Sequence, residues 1–196
     1  MAGEQRVDLY WLPLGAGGHS VKWNGRVYEA IAARVEGRPA RRLFHAALEV
    51  AVDGVSYVIE QAPEPDLRGE RRGVVAEGPV GARWAGRFRL FRYEVRLWEG
   101  GSIPDVAEAV GGPVRLASPP DLARRVLKAV PRVPTPVWGR DELGAGEMWN
   151  SNAVISWTLR MAGADVAAIE PPDGGRAPGW RAGVVVAERE ARSGIR

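Results

Sequence analysis

The chain has 196 residues and a formal net charge of +3, with 45% hydrophobic and 26% charged residues. That balance excludes a wholly disordered chain, and the length suits one domain with a core of ordinary size. There is no cysteine, which excludes disulfides, a cysteine metal site and a thiol nucleophile at once.

Only Lys22 and Lys128 among the 27 basic residues are lysines. Arginine favours bidentate contact with carboxylate or phosphate, but codon bias explains the excess equally well. Acidic residues are interspersed with the arginines, so no basic block forms and a nucleic-acid partner is not expected. Residues 1–6 lack the basic-then-apolar pattern of a signal peptide, and no apolar run is long enough to span a bilayer. The expectation is a cytoplasmic location and no membrane partner.

Val7 to Leu14 reads as a first strand, ended by Gly15-Ala16-Gly17-Gly18. These glycines make no phosphate loop, because no Gly-Lys-Ser/Thr follows. Asn24-Gly25, flanked by Val21-Lys22-Trp23 and Arg26-Val27-Tyr28, predicts a small hairpin that His19 opens. Residues 28–35 continue as strand or short helix, and Ala30, Ile31, Ala32 and Ala33 favour helix. His19 and His45 are the two histidines. A catalytic zinc would need carboxylates beside them, and neither metal nor organic cofactor is expected.

The clearest unit follows. Leu43 to Val52 and Val55 to Gln61 are β-rich runs separated by Asp53-Gly54, a strong two-residue hairpin signal. With Val52 opposite Val55, one face carries Phe44, Ala46, Leu48, Val50 and Val52 with Val55, Tyr57 and Ile59, plus Gln61. The other carries His45, Ala47, Glu49 and Ala51 with Ser56, Val58, Glu60 and Ala62. Ala47 then opposes Glu60, and His45 opposes Ala62. His45 and Glu60 become diagonal neighbours, about 7–8 Å apart between backbones. A one-residue bulge would flip one strand and undo this.

Gly73 to Ala76 predicts a short strand. Phe91, Tyr93, Val95 and Leu97 alternate with Arg92, Glu94 and Arg96, a half-buried strand with a phase shift at Leu90-Phe91 that suggests a bulge. The aromatics fall on the face opposite the charges, which fits a solvated sheet face better than a base-stacking platform. Ile103 to Val110 reads as a short helix. Asp121 to Val130 is a helix with Leu122, Val126 and Leu127 as its apolar side, and Pro131, Pro134 and Pro136 impose an extended linker after it.

Residues 149–157 are the focus of the remainder. Val154, Ile155, Leu159 and Ala162 recur at helical spacing, Ser151 can cap the helix, and Gly163 can stop it. Asn150 and Asn152 flank Ser151; either can be the cap instead, or line a pocket that Trp149 and Trp157 wall. After the loop Pro171-Pro172-Asp173-Gly174-Gly175, Ala182 to Ala187 reads as a last buried strand, and the chain from Arg189 as a loose tail. The whole is expected to be one domain, residues 1–196, of α+β class, with a mainly antiparallel sheet packed on the Ser151 helix.

The order of a histidine strand, a carboxylate on the next strand and a small polar residue opening a later helix resembles the circularly permuted branch of the papain-like, NlpC-type fold, which includes lecithin:retinol acyltransferase-like proteins. Phe44-His45-Ala46-Ala47-Leu48-Glu49-Val50 resembles its histidine strand, Tyr57-Val58-Ile59-Glu60 the following strand, and Asn150-Ser151-Asn152-Ala153-Val154-Ile155 its nucleophile helix. The chain is also similar to a family of bacterial proteins without assigned activity. The first resemblance implies Ser151 in place of the nucleophilic cysteine, His45 as general base and Glu60 holding the imidazole. Backbone N–H groups near residues 151 and 152 would stabilise an oxyanion. The implied activity is a serine-dependent hydrolase or acyltransferase acting on an amide, ester or thioester, with Trp149, Asn150 and Asn152 contacting substrate. A serine must lose its proton during attack and so needs a tighter hydrogen bond to its base than a thiol. The other expectation is a non-catalytic binding module holding a small molecule or peptide in the same pocket.

Overall fold

The structure, a computed structural model, describes residues 5–14, 39–64, 73–116 and 119–194. The Asn24-Gly25 hairpin, residues 28–35 and His19 lie outside them. The Asp53-Gly54 turn forms as the sequence predicts. Both residues take positive φ, 53° and 84°, as a two-residue hairpin loop requires. β2 (Phe44–Val52) and β3 (Val55–Glu64) leave the turn with Val52 opposite Val55, and their ladder runs to Leu48 opposite Ile59. Arg124 clasps Asp53 through both carboxylate oxygens, at 2.8 and 2.6 Å, and so ties a helix to this turn.

Four further strands complete one antiparallel sheet: β1 (Arg6–Pro13), β4 (Val74–Pro79), β5 (Arg92–Glu99) and β6 (Val114–Arg115). The order across it is β4–β5–β3–β2–β1–β6. β1 runs the length of β2, from Arg6 opposite Ala51 to Pro13 opposite Phe44. Beyond Ile59, β3 leaves β2 and pairs with β5, as far as Glu64 opposite Arg92. Three helices follow: α1 (Leu122–Ala129), α2 (Ser151–Met161) and α3 (Trp180–Ser193). The chain is therefore α+β, with an antiparallel sheet and the Ser151 helix packed on it. No described helix is long and apolar enough to cross a membrane.

The period-2 alternation of β2 decides where the core sits. Phe44, Ala46, Leu48, Val50 and Val52 join Ile59, Tyr93, Val95 and Trp11 in the main core, against α1 and α2. Leu12, Ala47, Val58 and Ile103 form a second, smaller cluster on the outer face, with Tyr10 and Trp98 packed on it. α2 is buried at every position from Ser151 to Leu159 because the sheet, α1 and α3 all pack against it. Gly163 ends it with φ 89°, as the sequence predicts.

Several expectations are corrected. Ala182 to Ala187 is not a strand but the middle of α3. Its β-branched run suggested a buried strand, yet Ala182, Gly183, Val186 and Ala187 are the buried positions, which is helical spacing. Tertiary packing overrides β propensity here. The tail from Arg189 is not loose as far as Ser193: α3 continues to that residue, and the Arg189 guanidinium donates to the carbonyls of Leu143 and Gly144. Ile103 to Val110 holds only a 3-10 turn, Val106–Glu108. Two 3-10 turns, Arg83–Arg87 and Arg89–Phe91, account for the phase shift before β5, in place of a bulge within a strand.

Candidate functional site

The start of α2 is built around Asn150, not Ser151. Asn150 is the N-cap, its Oδ1 accepting from the backbone N–H of Asn152 at 2.9 Å and of Ala153 at 3.3 Å. Its Nδ2 donates to the Pro178 carbonyl at 2.8 Å. Ser151 is the first helical residue, 8% exposed. Among the described residues its hydroxyl has no hydrogen-bond partner. The cap also occupies the Asn152 N–H, one of the donors expected for an oxyanion.

Asn152 and Trp149 face inward. Asn152 is 2% exposed, and its Nδ2 donates to the carbonyls of Phe44 and Pro178, each at 2.9 Å. It thereby fastens the end of β2 to the loop that precedes α3. Trp149 is equally buried, and its backbone N–H donates to the Arg140 carbonyl at 2.9 Å. Of the three residues expected to contact substrate, Asn150 and Asn152 both hold the Pro178 carbonyl, while Trp149 is buried and bonds through its backbone to the turn at Gly139 and Arg140.

His45 lies on the other side of the sheet. Its neighbours along β2, Phe44 and Ala46, point into the main core with α2. Leu12, which pairs with His45 across β1, belongs to the outer cluster. Strand alternation therefore turns the His45 imidazole away from α2, with the sheet between it and Ser151. Desolvation lowers the His45 pKa to about 4, against a smaller opposing pull from the Asp105 carboxylate. A base so weak is neutral at pH 7 but poorly matched to taking a serine proton, a task best served by a pKa near the working pH.

Glu60 shares the outer face with His45, as the alternation predicts. The β2–β3 ladder ends at Leu48 and Ile59, so Ala47 does not pair with Glu60, nor His45 with Ala62. Glu60 instead stands opposite Arg96 on β5 and accepts from its Nη1 at 3.2 Å. Arg96 is 3% exposed, and its Nε also donates to Glu94 at 2.8 Å. The structure brings Glu60 to Arg96, which also holds Glu94, while alternation along β2 assigns His45 to the face opposite α2.

The depressed His45 pKa has a measurable consequence. Between pH 6.5 and about 4 the unfolded chain binds a proton at this position that the folded chain does not. The stabilisation from keeping the imidazole neutral is therefore complete above pH 6.5 and declines as pH falls toward 4, by up to about 3 kcal/mol. His45→Gln is expected to flatten the pH dependence of urea unfolding across that window. An unchanged slope would contradict a half-buried His45 held neutral by desolvation.

Sequence reading missed the cleft in front of the loop that Asn150 and Asn152 fasten. It measures about 300 Å³ and opens between residues 170–178, the start of α3, Arg41 and Glu147. Trp180, Pro178 and Ala177 give it apolar surface, and Arg41, Arg176, Arg181, Glu147 and Glu170 bring charges of both signs. Glu147 accepts the Gly179 N–H at 2.9 Å, which fixes one carboxylate at the first turn of α3. Trp180 is itself braced from behind by Trp11, ring centroids 5.1 Å apart. The Pro171 to Gly175 loop was the only sequence signal, and it said nothing of Arg41, which reaches the cleft from just before β2.

Among the described residues no cluster of three or more His, Asp or Glu side chains is placed to hold a metal ion. Comparison with protein-family models, with curated proteins and with solved structures finds no match to this chain.

Proposed function

We propose that the chain is a non-catalytic binding module that holds a small molecule or short peptide in the cleft between residues 170–178 and the start of α3. The cleft's lining carries this reading. Guanidinium and carboxylate groups ring an apolar wall of Trp180, Pro178 and Ala177, an arrangement that suits a compact ligand bearing both charges, such as a peptide end. The wall is held from behind by side chains with their hydrogen-bonding groups turned inward, which favours a preformed site over one assembled on binding. The serine-hydrolase reading rests on the resemblance alone, since the sheet stands between Ser151 and His45 and the cap consumes the Asn152 N–H.

The test is an NMR screen of the full chain against amino acids and di- and tripeptides. Hits are expected to shift the amides of residues 174–181 and to persist in Ser151→Ala. Arg181, exposed at the cleft's edge, is expected to contribute a charge-assisted contact, so Arg181→Ala should weaken them roughly tenfold. Shifts confined to another surface, or binding that requires Ser151, would overturn the proposal.

A further inference from the structure

The segment joining β4 to β5 carries the most exposed apolar surface among the described residues. Trp84 is 68% and Leu90 69% exposed, with Phe88 at 48% and Phe91 at 43%. Four arginines, Arg83, Arg87, Arg89 and Arg92, are interleaved with them over residues 83–92, and no acidic residue is. The segment follows β4, which among the described strands is the last on its side of the sheet. Two of the arginines meet acids on neighbouring elements: Glu142 lies 2.5 Å from Arg83, and Glu77 lies 3.7 Å from Arg92.

We propose that this segment docks on the surface of a bilayer rich in anionic phospholipid. No described helix crosses a membrane, and surface attachment requires none. Three physical points select this occupant. A second copy of the chain meeting this patch symmetrically would bring like-charged arginine clusters together. Single-stranded nucleic acid needs open aromatic faces, but the Arg87 guanidinium already lies over the Trp84 ring at 5.7 Å and the Phe88 ring at 4.7 Å. Leu90, the most exposed apolar side chain, offers a base nothing to stack on. In a protein interface, burying residues that alternate with arginine would desolvate each guanidinium too. At a lipid surface aromatic and leucine side chains enter the headgroup layer while guanidinium groups stay among phosphates at the same depth.

Flotation of the full chain with vesicles tests this. Binding is expected to phosphatidylglycerol–phosphatidylcholine vesicles and not to phosphatidylcholine alone. Leu90→Ser is expected to lower partitioning on the order of tenfold. Arg87→Gln should lower it about fivefold. Both positions are exposed, so far-UV circular dichroism of the variants should match the parent. No binding to either vesicle, or binding indifferent to Leu90→Ser, would overturn the proposal. So would a patch that captures oligo-dT, or one that drives dimerisation, in place of lipid.

Discussion

Gly183→Ala is expected to destabilise the protein by about 3 kcal/mol, a large share of the 5–15 kcal/mol typical of a folded domain. α3 crosses α2 at this glycine. A Cβ there would stand 2.1 Å from the Ala153 carbonyl oxygen, 2.2 Å from Ser156 Oγ and 2.8 Å from the Trp157 nitrogen. Two of these are backbone atoms and cannot swing aside, so the helices must separate. Separation would also strain the bond from Ser156 Oγ to the Trp180 carbonyl, now 2.7 Å, and with it the cleft wall. Urea unfolding measures the effect. A loss below about 1 kcal/mol would show that the helices do not meet at Gly183.

Arg96→Met is expected to cost about 3–5 kcal/mol, since it leaves Glu60 and Glu94 facing one another without the buried guanidinium between them. The combined variant Glu60→Gln, Glu94→Gln, Arg96→Met should recover much of that loss, because it removes the stranded charges together with their partner. If Arg96→Met alone is nearly neutral, the group is solvated and not an ion cluster within the sheet. The cluster also explains why the carboxylate expected to orient His45 does not do so. A guanidinium on the neighbouring strand outbids a diagonal imidazole whose own burial favours the neutral form.

The architecture was legible where chemistry is local. Asp53-Gly54 set the turn and the register of β2 on β3, and alternation then assigned each side chain to its face, Gln61 in the core included. Leu122, Val126 and the span from Ser151 to Gly163 announced helices by spacing. α3 was hidden because Val184-Val185-Val186 carries a β-branched signal, and its helical state follows from packing on α2, where Ala182, Gly183, Val186 and Ala187 are buried. The candidate site was less legible for a different reason. Which of Asn150, Ser151 and Asn152 caps a helix depends on one backbone dihedral, and which face a helix covers is a tertiary fact. Once Phe44 and Ala46 are given to the helix side, however, alternation alone turns His45 away. The cleft, by contrast, joins Arg41, Glu147 and Arg176, whose proximity no local pattern encodes.

Intact mass of the full chain after treatment with a fluorophosphonate tests the account most directly, with Ser151→Ala and His45→Gln as companions. No adduct at Ser151 is expected, because alternation along β2 assigns His45, the imidazole expected to activate it, to the face opposite α2. An adduct at Ser151 that disappears in His45→Gln would contradict the account and restore the serine-hydrolase reading.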